Sequence, residues 1–216
     1  MINTGVKLWL SLAIVYLVFT YWYTNTDGPL TASEVSSYSE KYADKATAKQ
    51  LEALVSFMQS DQGNQFIMVN LLDMNPTPAS SPMFNADMNG MSADQLLGHY
   101  MEHMYPALFK RASHPLFFGV AVAPALDIIG IEDARYWTQG ALVRYRSRRD
   151  MLEIASNPDF DERHAYKLTA LTKTIAFPVD VRLSLADPRL LLAMLLLILG
   201  LIIDRVLLRY RSPSYR

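Results

Sequence analysis

The sequence of 216 residues contains no cysteine. That absence excludes a disulfide scaffold, a cysteine-ligated zinc or iron–sulfur centre and a thiol nucleophile, though it does not identify a compartment. Charge is scarce as well: Asp, Glu, Lys and Arg make up 19% of the chain, and the formal net charge is −1. Nucleic acid is therefore not an expected partner, because such binders usually carry a basic excess. What the chain has in quantity is apolar residues, 51% of the total, and these are unevenly placed. Leu190 to Ile203 is an unbroken run of 14 uncharged residues, and Leu8 to Phe19 is nearly as apolar.

A helix rises ~1.5 Å per residue and the hydrocarbon core of a bilayer is ~30 Å thick, so about 20 mostly apolar residues suffice to cross it. Residues 6–23 and 188–208 both meet that requirement. The first is read as a retained anchor rather than a cleaved signal peptide. Its apolar run ends in Tyr21-Trp-Tyr23 with no small-x-small cleavage site, and Trp9 and Trp22 suit the two interfaces. Lys7 precedes the first span, and Arg205, Arg209, Arg211 and Arg216 lie at or beyond the end of the second. The segment between Tyr23 and Leu190 holds 15 Lys/Arg against 20 Asp/Glu. Basic ends around an acidic middle predict two spans in a cytoplasmic (inner) membrane, both termini and the basic tail 209–216 cytoplasmic, and the central domain outside.

Between the spans, residues 31–60 read as a helical lead-in. Thr31-Ala-Ser-Glu34 has the form of a capping box, and Leu51, Leu54, Val55 and Met58 recur at helical spacing. Residues 61–181 read as one α+β domain. Phe66 to Leu72 is a strand apolar on both alternating faces, which predicts a sheet covered on both sides. Asp73 to Met91 is a long loop without periodicity, of the kind that serves as a lid, a binding loop or a disordered segment. Ser92-Ala-Asp-Gln95 caps a helix to about Arg111. Strands follow at Leu116–Val122 and Gln139–Tyr145, helices at Arg149–Ala155 and Asp159–Leu171, and a last strand at Thr174–Val179. The order β-α-β-β-α-β suits a ferredoxin-like sandwich of four antiparallel strands with helices on one face.

Phe66-Ile-Met-Val-Asn-Leu-Leu72, the helix around Tyr100 running into Pro106-Ala-Leu108, the stretch Gln139 to Glu153, Asn157-Pro-Asp-Phe160, His164 and Lys167-Leu-Thr-Ala-Leu171 carry a resemblance. They resemble small domains of unknown function in the dimeric α/β-barrel superfamily, relatives of the antibiotic-biosynthesis monooxygenase domains, over about Ala48 to Val181. The resemblance implies that two protomers join their sheets face to face, and that each holds a small apolar pocket between sheet and helices. It implies no settled reaction, because that superfamily includes cofactor-free monooxygenases, haem enzymes and isomerases.

Three side chains are candidates for such a pocket on their placement. Asn70 is the polar member of an apolar strand face, and Tyr100 and Arg144 lie on the neighbouring helix and strand. Together they could orient a carbonyl or phenol, with the arginine stabilising developing negative charge. The plainer reading is that Asn70 satisfies a strand end and Arg144 pairs with a carboxylate. His164 is the fourth candidate, at the pocket mouth where the resemblance places a polar residue; a solvated histidine is its plainer reading.

His99-Tyr-Met-Glu-His103 matches the H-x-x-E-H spacing of inverted zincins, but no downstream helix offers a third ligand, so surface residues are the better account. Met88, Met91, Met101 and Met104 cluster with His99 and His103 in sequence. Thioether and imidazole suit Cu(I), although methionine is also a common filler of cores and adaptable surfaces. No cofactor is expected unless that copper reading holds. The sequence thus points to a membrane-anchored, homodimeric domain that binds, and in one form oxidises or isomerises, a small apolar or aromatic molecule. Its alternatives are a non-catalytic accessory or assembly subunit of a larger membrane complex, and copper handling.

Overall fold

The computed structural model describes residues 4–185 and 187–211, so that 212–216 of the expected basic tail lie outside the described residues. In chain order the elements are α1 (Thr4–Tyr23), α2 (Ala32–Ala43), α3 (Ala48–Gln59), β1 (Phe66–Met74), α4 (Ala93–Lys110), β2 (His114–Val120), β3 (Gln139–Tyr145), α5 (Arg148–Ala155), α6 (Pro158–Ala170), β4 (Leu171–Asp180) and α7 (Pro188–Arg211). They divide into two compact units, residues 27–181 and the two chain ends.

The terminal unit is the pair α1 and α7. With 20 and 24 residues these helices extend ~30 and ~36 Å, and both are long and apolar enough to cross a membrane. They run antiparallel. Arg189, at the start of α7, donates to the Thr24 hydroxyl just past the end of α1 at 3.1 Å and lies 5.6 Å from the Tyr23 ring centre. Farther along, Gly200 faces the Trp9 ring, and a Cβ there would come within 2.6 Å of the indole. The antiparallel pair brings the start of α1 and the end of α7 to the same end of this unit.

The central unit is built on a four-stranded sheet in the order β2-β3-β1-β4, with every pairing antiparallel. This is the ferredoxin-like arrangement expected from the order of elements. The second crossover helix is split into α5 and α6 where Asn157 caps the new helix and Pro158 takes its first position, a place where the missing N–H costs no hydrogen bond. Capping boxes at Thr31–Glu34 and Ser92–Gln95 start α2 and α4 as the sequence predicts, and a third, Thr47–Gln50, starts α3.

Two strand boundaries differ from expectation. β2 begins earlier, at His114, and includes Pro115. Because β2 is an edge strand, a proline without an N–H breaks no necessary ladder bond, and the pairing with β3 shifts register between Pro115 and Phe117. β4 begins directly where α6 ends, with Leu171 serving as the C-cap.

Side chains alternate across the sheet. Phe66, Met68, Asn70 and Leu72 of β1 share a face with Tyr145, Val143, Ala141 and Gln139 of β3, and α4, α5 and α6 pack over it. Phe66 is the centre of that layer, stacked on Tyr145 at 5.3 Å and met edge-on by Phe57 at 5.4 Å. The lead-in helices α2 and α3 pack outside the helical layer, where Tyr38 and Met58 meet Leu152 of α5. The other sheet face, with Ile67, Val69, Leu71, Leu142, Ile175 and Phe177, is apolar and not covered by the helices of this unit; Phe177 is 44% exposed.

The basic run Arg144 to Arg149 is consumed in holding the unit together. Arg146 pairs with Asp150 at 2.8 Å, Arg148 with Asp61 at 3.5 Å, and Arg149 with Glu34 at 2.6 Å. Arg149 also donates to the carbonyls of Gly28 and Pro29, which ties the lead-in to the domain. The long loop after β1 is anchored rather than free. It forms short 3-10 turns at Pro78–Ser80 and Ala86–Met88, and Met88 is buried with Leu72, Leu96, Ala170 and Leu171.

Candidate functional site

A cleft of about 580 Å³ opens between the helix-covered face of the sheet and the helices α4 and α6. Its walls follow from the two periodicities. Every second residue of β1 and β3 turns inward, giving Met68, Asn70, Gln139, Ala141, Val143 and Tyr145. From α4, Leu97, Met101, Met104 and Leu108 recur at helical spacing on the same wall, with Gly98 and Tyr100 beside them. From α6, Phe160, His164 and Lys167 form an i, i+4, i+7 stripe. A volume between ~300 and 1,000 Å³, mostly apolar with a few convergent polar groups, is typical of a small-molecule site.

The cleft thus brings together Asn70, Tyr100 and His164. Asn70 is 9% exposed, and its amide donates to the Met68 carbonyl at 3.1 Å. Tyr100 and His164 meet edge-on with ring centres 6.0 Å apart, and Phe160 stacks on the imidazole at 4.9 Å. Among the described residues, two buried polar atoms at the cleft have no hydrogen-bond partner, Nδ1 of His164 and Oε1 of Gln139.

Arg144 is a correction. It belongs to the alternate set of β3 residues, opposite Ile67 rather than Asn70, and does not line the cleft. Its guanidinium donates to the side-chain oxygen of Gln65 at 2.8 Å and to the carbonyl of Ala112. It is 3% exposed and serves the packing of the connections before β1 and after α4.

The methionine and histidine set does not converge on one point. Met88 and Met91 belong to the cluster around Leu72, whereas Met101 and Met104 pack against Phe66 and the cleft. His99 contacts Glu102 at 3.2 Å, and Nε2 of His103 is buried without a partner. Among the described residues no group of three or more His, Asp or Glu side chains is placed to hold a metal ion.

Burial sets the protonation states at the cleft. It pushes the hydroxyl of Tyr145 up to about 12 and that of Tyr100 higher still, so both are proton donors at neutral pH. Burial pulls His164 down to about 4, with the nearby Lys167 acting in the same direction and Asp161 opposing. The imidazole is thus neutral in the folded chain. Lys167, which sequence reasoning passed over, is also lowered by burial; its Nζ lies 5.7 Å from the centre of the Tyr100 ring. The signal for it was the i, i+3 spacing from His164 on one helix face. Such a wall can hold an apolar body on methionine and leucine and present hydroxyl, imidazole and ammonium groups to one polar end.

No protein-family model matches the chain, and no curated protein matches it. Among solved structures it is similar to a protein of unknown function from Rhodopseudomonas palustris, with a TM-score of 0.51 and 16% identity, covering 65% of this chain and 97% of that one. A dimeric ferredoxin-like protein of unknown function from Jannaschia sp. CCS1 has a TM-score of 0.35 at 10% identity, over 55% of this chain and 100% of that one. A cofactor-independent oxygenase from Streptomyces nogalater has a TM-score of 0.32 at 10% identity, over 57% and 99%. Sheet order, helix placement and the likeness to the Rhodopseudomonas palustris protein agree on the fold: the chain carries a ferredoxin-like α+β domain, flanked in sequence by two apolar helices.

Proposed function

We propose that this protein is a membrane-anchored, extracytoplasmic binding domain for a small apolar or aromatic molecule. The observation that carries the reading is the cleft itself, in which Asn70, Tyr100 and His164 converge on a wall otherwise made of methionine, leucine and aromatic side chains. A bound carbonyl or phenol would meet donors that stay protonated and a neutral imidazole, an arrangement that suits oxidation or isomerisation as well as plain binding. The anchor is the helix pair, whose outward residues are aliphatic: Leu17, Val18 and Leu195 are each more than 60% exposed. Basic ends support a topology with both termini in the cytoplasm. A second copy covers the apolar sheet face around Val69 and Phe177, as the resemblance to dimeric barrels implies.

The test is to purify the full chain in lipid nanodiscs and identify by mass spectrometry the small molecules that travel with it. Gly98 lies on the cleft wall, and a Cβ at its position would meet no atom within 4 Å, so Gly98→Trp should fill the site without distorting the helix. An apolar compound at stoichiometric level in the wild type and absent from Gly98→Trp supports the reading. A compound retained by both, or none in either, counts against it.

A second reading, an accessory subunit of a membrane complex, is favoured by the loop between β2 and β3. There Val122, Leu126 and Ile129 are 101%, 96% and 84% exposed, the kind of apolar patch that marks a protein contact. A second protein retained at fixed stoichiometry through gentle purification, and released by Leu126→Ser, would support it.

A further inference from the structure

We propose that Lys167 is the anchoring cation of the cleft and that the ligand is an apolar acid with one carboxylate, its body lying on the methionine wall. This rests on the reading of the cleft as a binding site and names its ligand class.

Among the described residues, Lys167 is the one lysine or arginine that lines the cleft. Arg144, Arg146, Arg148 and Arg149 each hold a carboxylate, an amide or a backbone carbonyl, and Lys45 is bonded to Asp161. Lys167 has no hydrogen bond or ion pair among the described residues, and its Nζ lies beside the Tyr100 ring. Nor does the cleft supply a counter-ion from its own wall. The two carboxylates that border it are Asp94, exposed at the start of α4, and Glu102, whose side chain is 70% exposed and already faces His99. Asp161, one turn before His164 on α6, is engaged by Lys45.

Lys167 is half-buried in this wall, so its ammonium gives up part of its water without gaining a partner among the described residues, and an arriving carboxylate supplies a charge-assisted hydrogen bond. The neighbouring groups suit an anion. Tyr100 and Tyr145 offer hydroxyl donors, and His164 adds an imidazole with an unpartnered nitrogen. A cationic ligand would meet only repulsion from Lys167. Burial lowers the Lys167 ammonium, and a bound carboxylate would raise it again, so binding of the acid should be accompanied by proton uptake as pH rises toward the lysine's own titration.

The experiment compares 2-naphthoic acid with its neutral isostere 2-naphthamide, titrated at neutral pH into the full chain in phosphatidylcholine nanodiscs, with binding to empty nanodiscs subtracted. The wild type should bind the acid at least tenfold more tightly than the amide. Lys167→Met should lose at least tenfold for the acid and less than twofold for the amide, and Lys167→Arg should keep the preference for the acid. Equal affinity of the wild type for acid and amide overturns the inference while leaving the cleft as a binding site. Binding of neither probe overturns both. If Lys167→Met does not fold, the wild-type comparison of acid with amide decides alone.

Discussion

Ala112 follows the last turn of α4 with a φ of 49°, a left-handed conformation that glycine adopts at no cost and alanine does not. Its N–H bonds Phe109, the next N–H bonds Leu108, and its carbonyl accepts from Arg144, so the strained turn is held from three directions. Ala112→Gly should therefore raise stability by about 1 kcal/mol, read from chemical denaturation with an unchanged m-value. His164 gives a second prediction at this scale. Its folded value of about 4 lies below the ordinary histidine value of 6.5, so the unfolded chain binds a proton first as pH falls. Stability is unaffected above about pH 6.5 and declines between there and about pH 4. His164→Gln should flatten thermal stability over that window. The Glu34 contribution persists in the variant, because Arg149 holds that carboxyl down to about 2 and its loss belongs to a more acid range. Asn70 and Tyr100 were legible from periodicity, since each interrupts or joins an apolar stripe, whereas His164 was singled out only through the resemblance. Arg144 was not legible, because a strand's alternation says which residues share a face but not which face turns toward the helices. Lys167 was hidden by the ordinary habit of lysine on an amphipathic helix, which is to reach solvent.

At the scale of elements, the helix α4 contributes more of the cleft wall than any other element, and its one glycine sits there. With nothing within 4 Å of a Cβ at Gly98, Gly98→Ala removes backbone freedom from the unfolded chain and adds no clash. It should stabilise by roughly 0.5–1 kcal/mol, measured as a shift of the denaturation midpoint. Element types and their order were readable because hydrophobic periods of two and of about 3.6 alternate cleanly, and because Thr31, Ser92 and Asn157 mark helix starts. The ends of β2 and β4 were less readable. Pro115 discourages a strand assignment unless the strand is known to be at the edge, and edge position is a property of the assembled sheet. The anchoring of the loop after β1 by Met88 was likewise invisible, since it depends on the distant residues Ala170 and Leu171 meeting Leu72.

For the whole molecule, the uncovered sheet face is the largest feature that one chain leaves unexplained. If a second copy covers it, Phe177→Glu should place two carboxylates in the interface and leave a folded monomer, seen as a halving of mass by light scattering after subtraction of the detergent or lipid. An unchanged mass would show that the sheets are not the contact. The two apolar helices and the acidic domain between basic ends were plain in composition, and the cleft became visible only when sheet and helices were assembled, because no stretch of sequence contains both of its walls.

The cleft as a binding site is the central claim, and the methionines report on it most directly. Met68, Met101, Met104 and Met151 line it, whereas Met58 and Met88 are buried elsewhere and Met194 lies on an apolar helix. In the full chain labelled with 13C at the methionine methyl groups and held in nanodiscs, 2-naphthamide should shift the four cleft signals in a saturable manner and leave Met58, Met88 and Met194 in place. Shifts confined to Met194, or no shift at any of the four, would contradict the account.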